Sequence, residues 1–471
     1  MVLRVGIAAP LLLRLVKKLN SAYCYWRRSF RRIERIPFDR LAVVIVGGCL
    51  GCWLIGTPAT SIARESIDSM TTNTPDLTQE KITLEQALRI AADVHPSIVQ
   101  RISEQSASDF GIAGARWQQW PALSASSSRG PLGSTLTELQ IEQPLWTGGR
   151  ITANINAAEA RAEAARQVVL ETRKSILERT INTYAEAMRL RSRIDSADAV
   201  IADYEQLTAM IDRRTASGVS PQSDAVNVRA RLQQAQTERM QLRLQQQHMH
   251  TELELLIGRR FSELITPAPV AAVPMTIDEV TGAALDAAPE LVRMDAEQRI
   301  AEEVIATSRA SLSPSLSLRY QRLFGGGSLY ASDQIFLGLT YQPGNGLSSL
   351  SAISEAEARR SGVSYARETI RLELTARVRS LWQQADSARR ELVVLQELVK
   401  STQQVYESCL RQFPVGRRTW LELLLARRDV IQAQYALSDM QWSSFAATLK
   451  LELLTGRLTA RNYRLDAEAS P

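Results

Sequence analysis

Residues 253–259 read LELLIGR and residues 451–457 read LELLTGR, so the same heptapeptide recurs with one change. The match extends backwards along the chain, because Gly218 corresponds to Gly416 at the same offset and Pro144 corresponds to Pro343 at nearly the same offset. A steady offset over most of a chain indicates a tandem duplication. Units of about 180 residues are too long for a solenoid, whose repeats have roughly 20 to 50 residues. Each copy is therefore predicted to form half of one pseudo-symmetric body.

The duplication predicts six segments. They are a leader with a signal peptide (1–63), an N-terminal linker (64–80), a first repeat (81–265), a Pro/Ala-rich linker (266–275), a second repeat (276–458) and a C-terminal tail (459–471). Each repeat is predicted to contain the same series of helices and strands.

The leader is basic and then uncharged. Residues 1–40 are rich in Lys and Arg, and residues 41–63 carry no charge, which is the layout of a secretory signal peptide with a long basic region and cleavage near Ala63. The uncharged stretch is also long enough for a single transmembrane anchor. A lipoprotein cleavage site at Cys49 and a start codon assigned too early are further alternatives.

The net charge of +6 belongs to this leader. The remainder of the chain is close to neutral, so the sequence gives no support for nucleic-acid binding. No zinc-protease, nucleophile-elbow or phosphate-loop motif is present, and His248 and His250 are too close in sequence to share a helix face. We therefore expect no enzyme activity, no cofactor and no metal site.

Each repeat combines short strands with very long helices. Thr83 and Gln86 form a predicted capping box at the first helix, and alternating apolar residues such as Leu316 and Leu318 predict strands. Residues 151–217 and 347–413 are almost free of Pro and Gly, so each predicts a helix of roughly 100 Å at 1.5 Å per residue. Such helices form either a coiled-coil rod or a tube of helices lying side by side.

The strands favour the tube. Strands of about ten residues with alternating apolar and polar side chains are typical of outer-membrane barrels, and closed barrels need about eight strands or more. Four strands per chain must therefore be completed by other subunits, and a trimer would supply twelve. A soluble β-hairpin on a helical rod is the alternative.

The chain after the leader resembles the TolC-like outer-membrane exit ducts of Gram-negative bacteria. The resemblance rests on TLEQAL (83–88), PALSAS (121–126), PSLSL (314–318), QPLWTGGR (143–150) and a Gly-x5-acid pattern at each of two turns, Gly218–Asp224 and Gly416–Glu422. FPVGRRTWLELL (413–424) and YQPGNGLSS (341–349) are most similar to the subgroup that exports large adhesins by type I secretion.

The resemblance implies a mainly α fold with a small β part. Long antiparallel helical hairpins would form a periplasmic tunnel, and four strands per subunit would contribute to a trimeric 12-stranded outer-membrane barrel. The implied partners are two further copies of the chain, outer-membrane lipid, a periplasmic adaptor (membrane fusion) protein, an inner-membrane ABC exporter or proton-driven pump, and a secreted protein cargo. The implied location is the outer membrane of a Gram-negative bacterium, with a large periplasmic part.

The resemblance also assigns a periplasmic aperture. In the family, two aspartates three residues apart ring it and a nearby arginine latches it; here Glu422 and Arg418 match, Leu425 replaces the second aspartate, and Asp224 is the equivalent acid in the first repeat. Because one carboxylate is replaced by leucine, we expect a gate closed partly by apolar packing. Glu422 is alternatively a capping-box acid three residues after Thr419.

The other candidate residues are structural. Gly218, Pro221 and Gly416 mark the tip turns, and Gly258 and Gly456 are predicted to end the returning helices in a left-handed conformation. The junctions between strands and helices are predicted at five residues: Pro144, Trp146, Gly148, Pro343 and Gly344.

Three functions remain open from the sequence. The first is a passive exit duct for a type I secreted protein, such as a large adhesin. The second is the outer-membrane duct of a drug or metal efflux pump. The third, of a different class, is a periplasmic coiled-coil adaptor or scaffold anchored by residues 41–63.

Overall fold

A computed structural model describes residues 81–129, 135–268, 275–325 and 333–458. The predicted leader, the linker 64–80 and the tail 459–471 lie outside these residues, as does most of the linker 266–275. The signal-peptide, anchor and lipoprotein hypotheses therefore stay predictions. In the described ranges, no helix combines the length and the apolar character needed to cross a bilayer.

The first repeat begins with strand β1 (Lys81–Ile82) and helices α1 (Leu84–Val94) and α2 (Pro96–Trp117). Strands β2 (Ala122–Arg129) and β3 (Thr135–Trp146) follow, then the long helix α3 (Arg150–Ala216) and the returning helix α4 (Gln222–Ile257). A short strand β4 (Glu263–Leu264) pairs in parallel with β1. The sequence did not predict this two-stranded pairing.

The second repeat contains helices α5 (Ile277–Asp286) and α6 (Pro289–Ala310) and strands β5 (Ser315–Gly325) and β6 (Asp333–Thr340). A single 3-10 turn (Asn345–Leu347) leads into the long helix α7 (Ser348–Gln412) and the returning helix α8 (Trp420–Leu454). The element order repeats that of the first copy, so the predicted duplication and the mainly α fold are confirmed. The residue limits assigned to the segments stay predictions.

Capping side chains set several helix starts. Thr83, Thr276 and Thr419 each accept a hydrogen bond from the backbone three residues later, and the side chain of that later residue accepts one from the threonine backbone. This reciprocal bonding satisfies donors that a helix start leaves unpaired. The capping boxes predicted at Thr83 and Thr419 are therefore confirmed.

The long helices end within one residue of the predicted limits, and they pack side by side. Helix α3 contacts α4, α6 and α8, whereas α7 contacts α6 and α8. Buried positions on α3 recur at steps of three and four residues, as in Leu177, Ile181, Tyr184 and Met188, which is the spacing of helices that pack lengthwise. This arrangement is a wall of adjacent helices.

The core of this wall is divided into successive clusters. One surrounds α1 and includes Leu88, Ile181 and Leu253. A second lies near the turns between the long and returning helices and includes Val228 and Leu423. The Tyr184 hydroxyl donates to the Ile265 carbonyl over 2.5 Å beside the β1–β4 pair.

The four longer strands form one antiparallel sheet in the order β2-β3-β5-β6. Its central pair, β3 with β5, joins the two repeats. The four strands were predicted, but their pairing across the duplication was not. Both outer strands, β2 and β6, have a free edge in the described part of the chain.

Candidate functional site

The sheet has one apolar face. Leu123, Ile141, Tyr320 and Ile335 are register partners and form a row across all four strands. Large apolar side chains on this face are exposed to solvent, including Ile335 at 73% and Leu339 at 70%. Exposed apolar surface on this scale marks a surface that contacts another molecule or a membrane.

The opposite face of the sheet is mainly polar, with Phe336 on β6 as an exception. Arg319 on β5 donates to Glu142 on β3 over 3.1 Å, and Gln321 donates to Glu138 over 2.6 Å. Register places these side chains between the apolar positions, so they point to the other side. A sheet with one apolar face, one polar face and two free edges has the pattern of a membrane barrel segment facing lipid and lumen.

The predicted junction of the first repeat lies where the sheet meets the helices. A register shift between Pro144 and Trp146 interrupts the β3–β5 ladder, as expected where proline cannot donate a ladder hydrogen bond. Gly148 then takes a φ of +63°, and a Cβ there would lie 2.6 Å from the Cβ of Ser313. Only glycine fits this close approach between the copies.

The junction of the second repeat is built differently. The Pro343 carbonyl accepts a 2.6 Å hydrogen bond from the Ser349 hydroxyl, and Gly344 has a φ of +83°. Proline and glycine thus turn the chain from β6 into α7, and a Cβ at Gly344 would lie 2.2 Å from the Oγ of Ser348 in the first turn of α7.

Three tryptophans mark the helix-side end of the sheet. Trp117 and Trp120 have ring centroids 6.3 Å apart, and both are exposed, as is Trp146 at the end of β3. Exposed tryptophans at one end of an apolar face are typical of an interfacial aromatic belt. Within one subunit, none of the three is buried by packing between sheet and helices.

The first tip turn joins α3 to α4. Gly218 has a φ of +72°, the left-handed conformation, and Pro221 is the N-cap of α4 without a side-chain cap. Asp224 lies in the first turn of α4. Asp224 makes no ion pair with any residue that the structure describes.

The second tip turn joins α7 to α8 and is held more tightly at the helix start. Gly416 has the same φ of +72°. One Glu422 oxygen accepts from the Thr419 backbone (2.7 Å) and hydroxyl (2.9 Å), and the other accepts from Arg418 over 2.7 Å. The backbone hydrogen bond from Thr419, followed by the Arg418 guanidinium, lowers the pKa of Glu422 to about 2. Glu422 is thus a charged capping residue within its own subunit.

Leu425 lies one turn further along α8 and is 41% exposed. It lines a groove of about 430 Å³ between α3, α4 and α8, together with Leu421, Tyr204 and Tyr435. The structure therefore brings Glu422, Arg418 and Leu425 together at the start of α8. It does not connect them to Asp224 within the described residues.

The predicted helix stops adopt left-handed backbones. Gly258 (φ +76°) donates to the Glu254 carbonyl over 2.7 Å, and Gly456 (φ +71°) donates to the Leu453 carbonyl over 3.3 Å. Left-handed glycine is the usual helix end.

The sequence reasoning missed an ion pair close to the second tip. Arg427 on α8 contacts Asp203 on α3 over 2.6 Å, and the Arg427 side chain is only 4% exposed. In the sequence Arg427 corresponds to Arg229 at the duplication offset, but this correspondence does not identify Asp203 as its partner.

Comparison with known proteins shows which family this chain is similar to. The chain matches the model of the outer membrane efflux protein family over residues 103–259 and 280–457. It is 22% identical over 372 residues to the alkaline protease secretion protein AprF of Pseudomonas aeruginosa, covering 75% of this chain and 77% of AprF. It is 20% identical over 331 residues to the outer membrane efflux protein BepC of Brucella suis biovar 1, covering 68% of this chain and 72% of BepC.

A solved structure shares the fold. A crystal structure of a membrane protein from Pseudomonas aeruginosa superposes with a TM-score of 0.71 at 20% identity, covering 79% of this chain and 93% of that one. The two segments matched by the family model fall within the two copies of the repeat. The resemblance to TolC-like ducts that the motifs predicted is confirmed, and the chain belongs to the outer membrane efflux protein family.

Proposed function

We propose that three copies of this chain form an outer-membrane duct whose helices line a periplasmic tunnel. The observation that carries the proposal is the four-stranded sheet with an apolar face, a polar face and two free edges. Unpaired strand edges require a partner strand, and three such sheets would give a closed barrel of twelve strands. Strands β3 and β5 have 12 and 11 residues, close to the 9–11 residues that span a bilayer at a tilt.

Adjacent residues of β2 supply a matched test of this orientation. Leu123 lies on the apolar face and Ser124 on the polar face. Leu123→Lys places a charge against lipid, at a cost that is about 2–4 kcal/mol at the bilayer centre and decreases towards the interfaces, whereas Ser124→Lys places it in a polar lumen. We expect only Leu123→Lys to reduce the heat-modifiable trimer recovered from outer membranes. Equal recovery of the two variants would contradict the proposed orientation.

We further propose that the cargo is a protein exported by type I secretion, a large adhesin being the best candidate. Support comes from the similarity to AprF, an alkaline protease secretion protein, and from the segments 413–424 and 341–349, which resemble the adhesin-export subgroup. A periplasmic adaptor and an inner-membrane ABC exporter would complete the pathway.

A drug or metal efflux duct is the second candidate, favoured by the similarity to the outer membrane efflux protein BepC. It would work with an adaptor and a proton-driven pump. The anchored periplasmic scaffold is less well supported, because it leaves the apolar sheet face without a role.

Deletion of the gene separates the two duct functions. For protein secretion, we expect one large protein to disappear from the medium and drug sensitivity to stay unchanged. Increased sensitivity to drugs or metals with an unaltered set of secreted proteins would favour efflux instead. Complementation with the full chain is the control in both measurements.

Residues at the start of α8 are proposed to form the periplasmic aperture. Three copies of Glu422 around an axis would repel each other and attract cations, while Leu425 supplies an apolar constriction. Arg418 would hold each carboxylate in place, and Asp224 would supply the acid of the first tip. We expect Glu422→Ala and Leu425→Ala both to raise the conductance of trimers in planar bilayers. Unchanged conductance in both variants would rule out this aperture.

A further inference from the structure

A buried arginine joins the two helical hairpins close to the second tip. Arg427 on α8 forms an ion pair with the Asp203 carboxylate on α3, with 2.6 Å between nitrogen and oxygen. Its guanidinium carbon also lies 5.1 Å from the ring centre of Tyr406 on α7. One side chain therefore contacts α3 of the first hairpin and α7 of its own hairpin.

The burial of Arg427 makes it sensitive to the loss of its partner Asp203. Arg427 is 3% exposed, and its Nε has no hydrogen-bond partner among the described residues. Burial raises the pKa of the Asp203 carboxyl, and the Arg427 charge opposes that shift. The Asp203 side chain is 32% exposed, so removing Asp203 leaves the charge of the buried Arg427 uncompensated, which is strongly unfavourable. The arrangement is stable only while α8 stays beside α3.

The duplicated arginine of the first repeat shows a different arrangement. Arg229 on α4 pairs with Asp212 on α3 over 2.8 Å, with side-chain exposures of 53% and 41%. Both members belong to the first hairpin, and exposed pairs of this kind contribute little to stability. Arg229 thus makes a contact within the first hairpin. Arg427, at the same position in the second copy, makes a contact between the two hairpins.

A second contact joins the hairpins at the turn itself. Arg214, near the end of α3, donates to the Pro414 carbonyl over 3.1 Å, and its guanidinium lies 5.0 Å from the Phe413 ring centre. The second tip turn is therefore fixed to α3 on both sides of the proposed aperture residues: through Pro414 before them and through Arg427 after them.

We infer that Arg427 is a positioning residue for the aperture, anchoring α8 to Asp203 of the first hairpin. This inference rests on the proposed function. Helix α8 is continuous from Trp420, and Arg427 follows Leu425 by two residues and Glu422 by five. Fixing Arg427 against α3 therefore fixes where Glu422 and Leu425 lie. Loss of the anchor lets the start of α8 move away from the closed position.

Conductance of reconstituted full-length trimers provides the first test. We expect Arg427→Met and Asp203→Asn to raise the leak through closed trimers about tenfold. A factor of this size is typical of the energetic coupling between two sites in a protein. The matched controls Arg229→Met and Asp212→Asn should leave the leak unchanged. Arg427→Lys keeps the charge and should stay close to the unaltered protein.

Two results would overturn the inference. One is an Arg427→Met trimer that leaks no more than the Arg229→Met trimer. The other is equal leak in Arg427→Met and Arg427→Lys. The inference requires the charge that only Arg427→Lys retains, so equal leak would mean that this charge does not hold α8 in place.

A distance measurement tests the anchor without relying on transport. Val219 and Val415 are exposed residues of the two tip turns, and spin labels at cysteines in both places report the separation of the hairpins. In trimers diluted with unlabelled subunits, Asp203→Asn should broaden this distance distribution and Asp212→Asn should not. If no trimer conducts but the distances change as expected, the proposed function fails and the anchor stands. Unchanged distances in Asp203→Asn would reject the anchor.

Discussion

The two tip turns begin from the same duplicated backbone but are stabilised differently. Gly218 and Gly416 have the same φ of +72°, and the N-caps Pro221 and Thr419 correspond in the duplication. The first helix start has no side-chain cap, whereas the second has a capping box, a salt bridge and a buried apolar side chain at Leu423. The backbone of the turn has been kept in both copies, while the side chains that stabilise it have accumulated in the second.

This difference indicates that the two tips have different tasks. A tip that is capped at its helix start and anchored to its neighbour can hold side chains in a defined place. The first tip supplies the surface against which the second is held. Variants that make one tip like the other therefore test the comparison directly.

The largest effect is expected from the buried core of the second tip. Leu423 is completely buried, and its counterpart in the first repeat is Ala225. Leu423→Ala leaves a cavity, with a cost of about 2–5 kcal/mol. Chemical unfolding of the purified protein and hydrogen exchange of the first turns of α8 measure this loss. A cost below that of the turn-glycine variants would show that the tip core does not stabilise the second turn.

The turn glycines should respond equally in both copies. A non-glycine residue in the left-handed conformation costs about 1–2 kcal/mol, and a Cβ at Gly218 or Gly416 would meet no atom within 4 Å. We therefore expect Gly218→Ala and Gly416→Ala to lower the unfolding free energy by the same amount. A clear difference between the two variants would mean that the same φ has a different free-energy cost in the two turns.

The caps should respond unequally. Thr419→Ala removes the capping hydroxyl and is expected to cost about 1 kcal/mol. Pro221→Thr gives the first tip a capping residue three positions before Asp224, so it should make the start of α4 more protected from hydrogen exchange. Loss of protection in Pro221→Thr would show that the proline backbone restraint outweighs a side-chain cap there.

The smallest effect concerns protonation of Glu422. Its folded-state pKa of about 2 lies below the ordinary value of 4.5, so its contribution is present above pH 4.5 and is lost as the pH falls towards 2. We expect protection of the first amides of α8, corrected for intrinsic exchange, to decrease over that range. Glu422→Gln, which does not titrate, should remove this pH dependence. A persistent decrease in that variant would assign the effect to another group.

Much of the fold followed from local patterns in the sequence. Stretches almost free of Pro and Gly defined the long helices to within one residue, and Thr83 and Thr419 defined helix starts, because both features act through nearby backbone. The β3–β5 pairing was not predicted, since it joins distant segments whose register depends on the whole fold. Arg427 was missed for a similar reason: its partner Asp203 is remote in sequence, and an arginine at a helical position is usually exposed.

The proposed aperture could likewise be predicted only in part, because contacts between sequence neighbours are predictable and contacts between distant segments are not. Thr419, Glu422 and Arg418 lie close in sequence, so their capping contacts could be expected from spacing alone. Convergence of Glu422 and Leu425 on a common axis depends on other subunits. It therefore remains a prediction that the conductance variants test.

The central pairing of the sheet has a consequence for how the chain folds. Strand β3 (Thr135–Trp146) must pair with β5 (Ser315–Gly325), which is synthesised only after both helices of the first hairpin. Until then β2 and β3 are a two-stranded hairpin, which is marginally stable in water, and contacts between distant segments form slowly. The apolar face of β2 and β3 therefore stays exposed until the second repeat has been synthesised. During that time the emerging chain needs protection from aggregation.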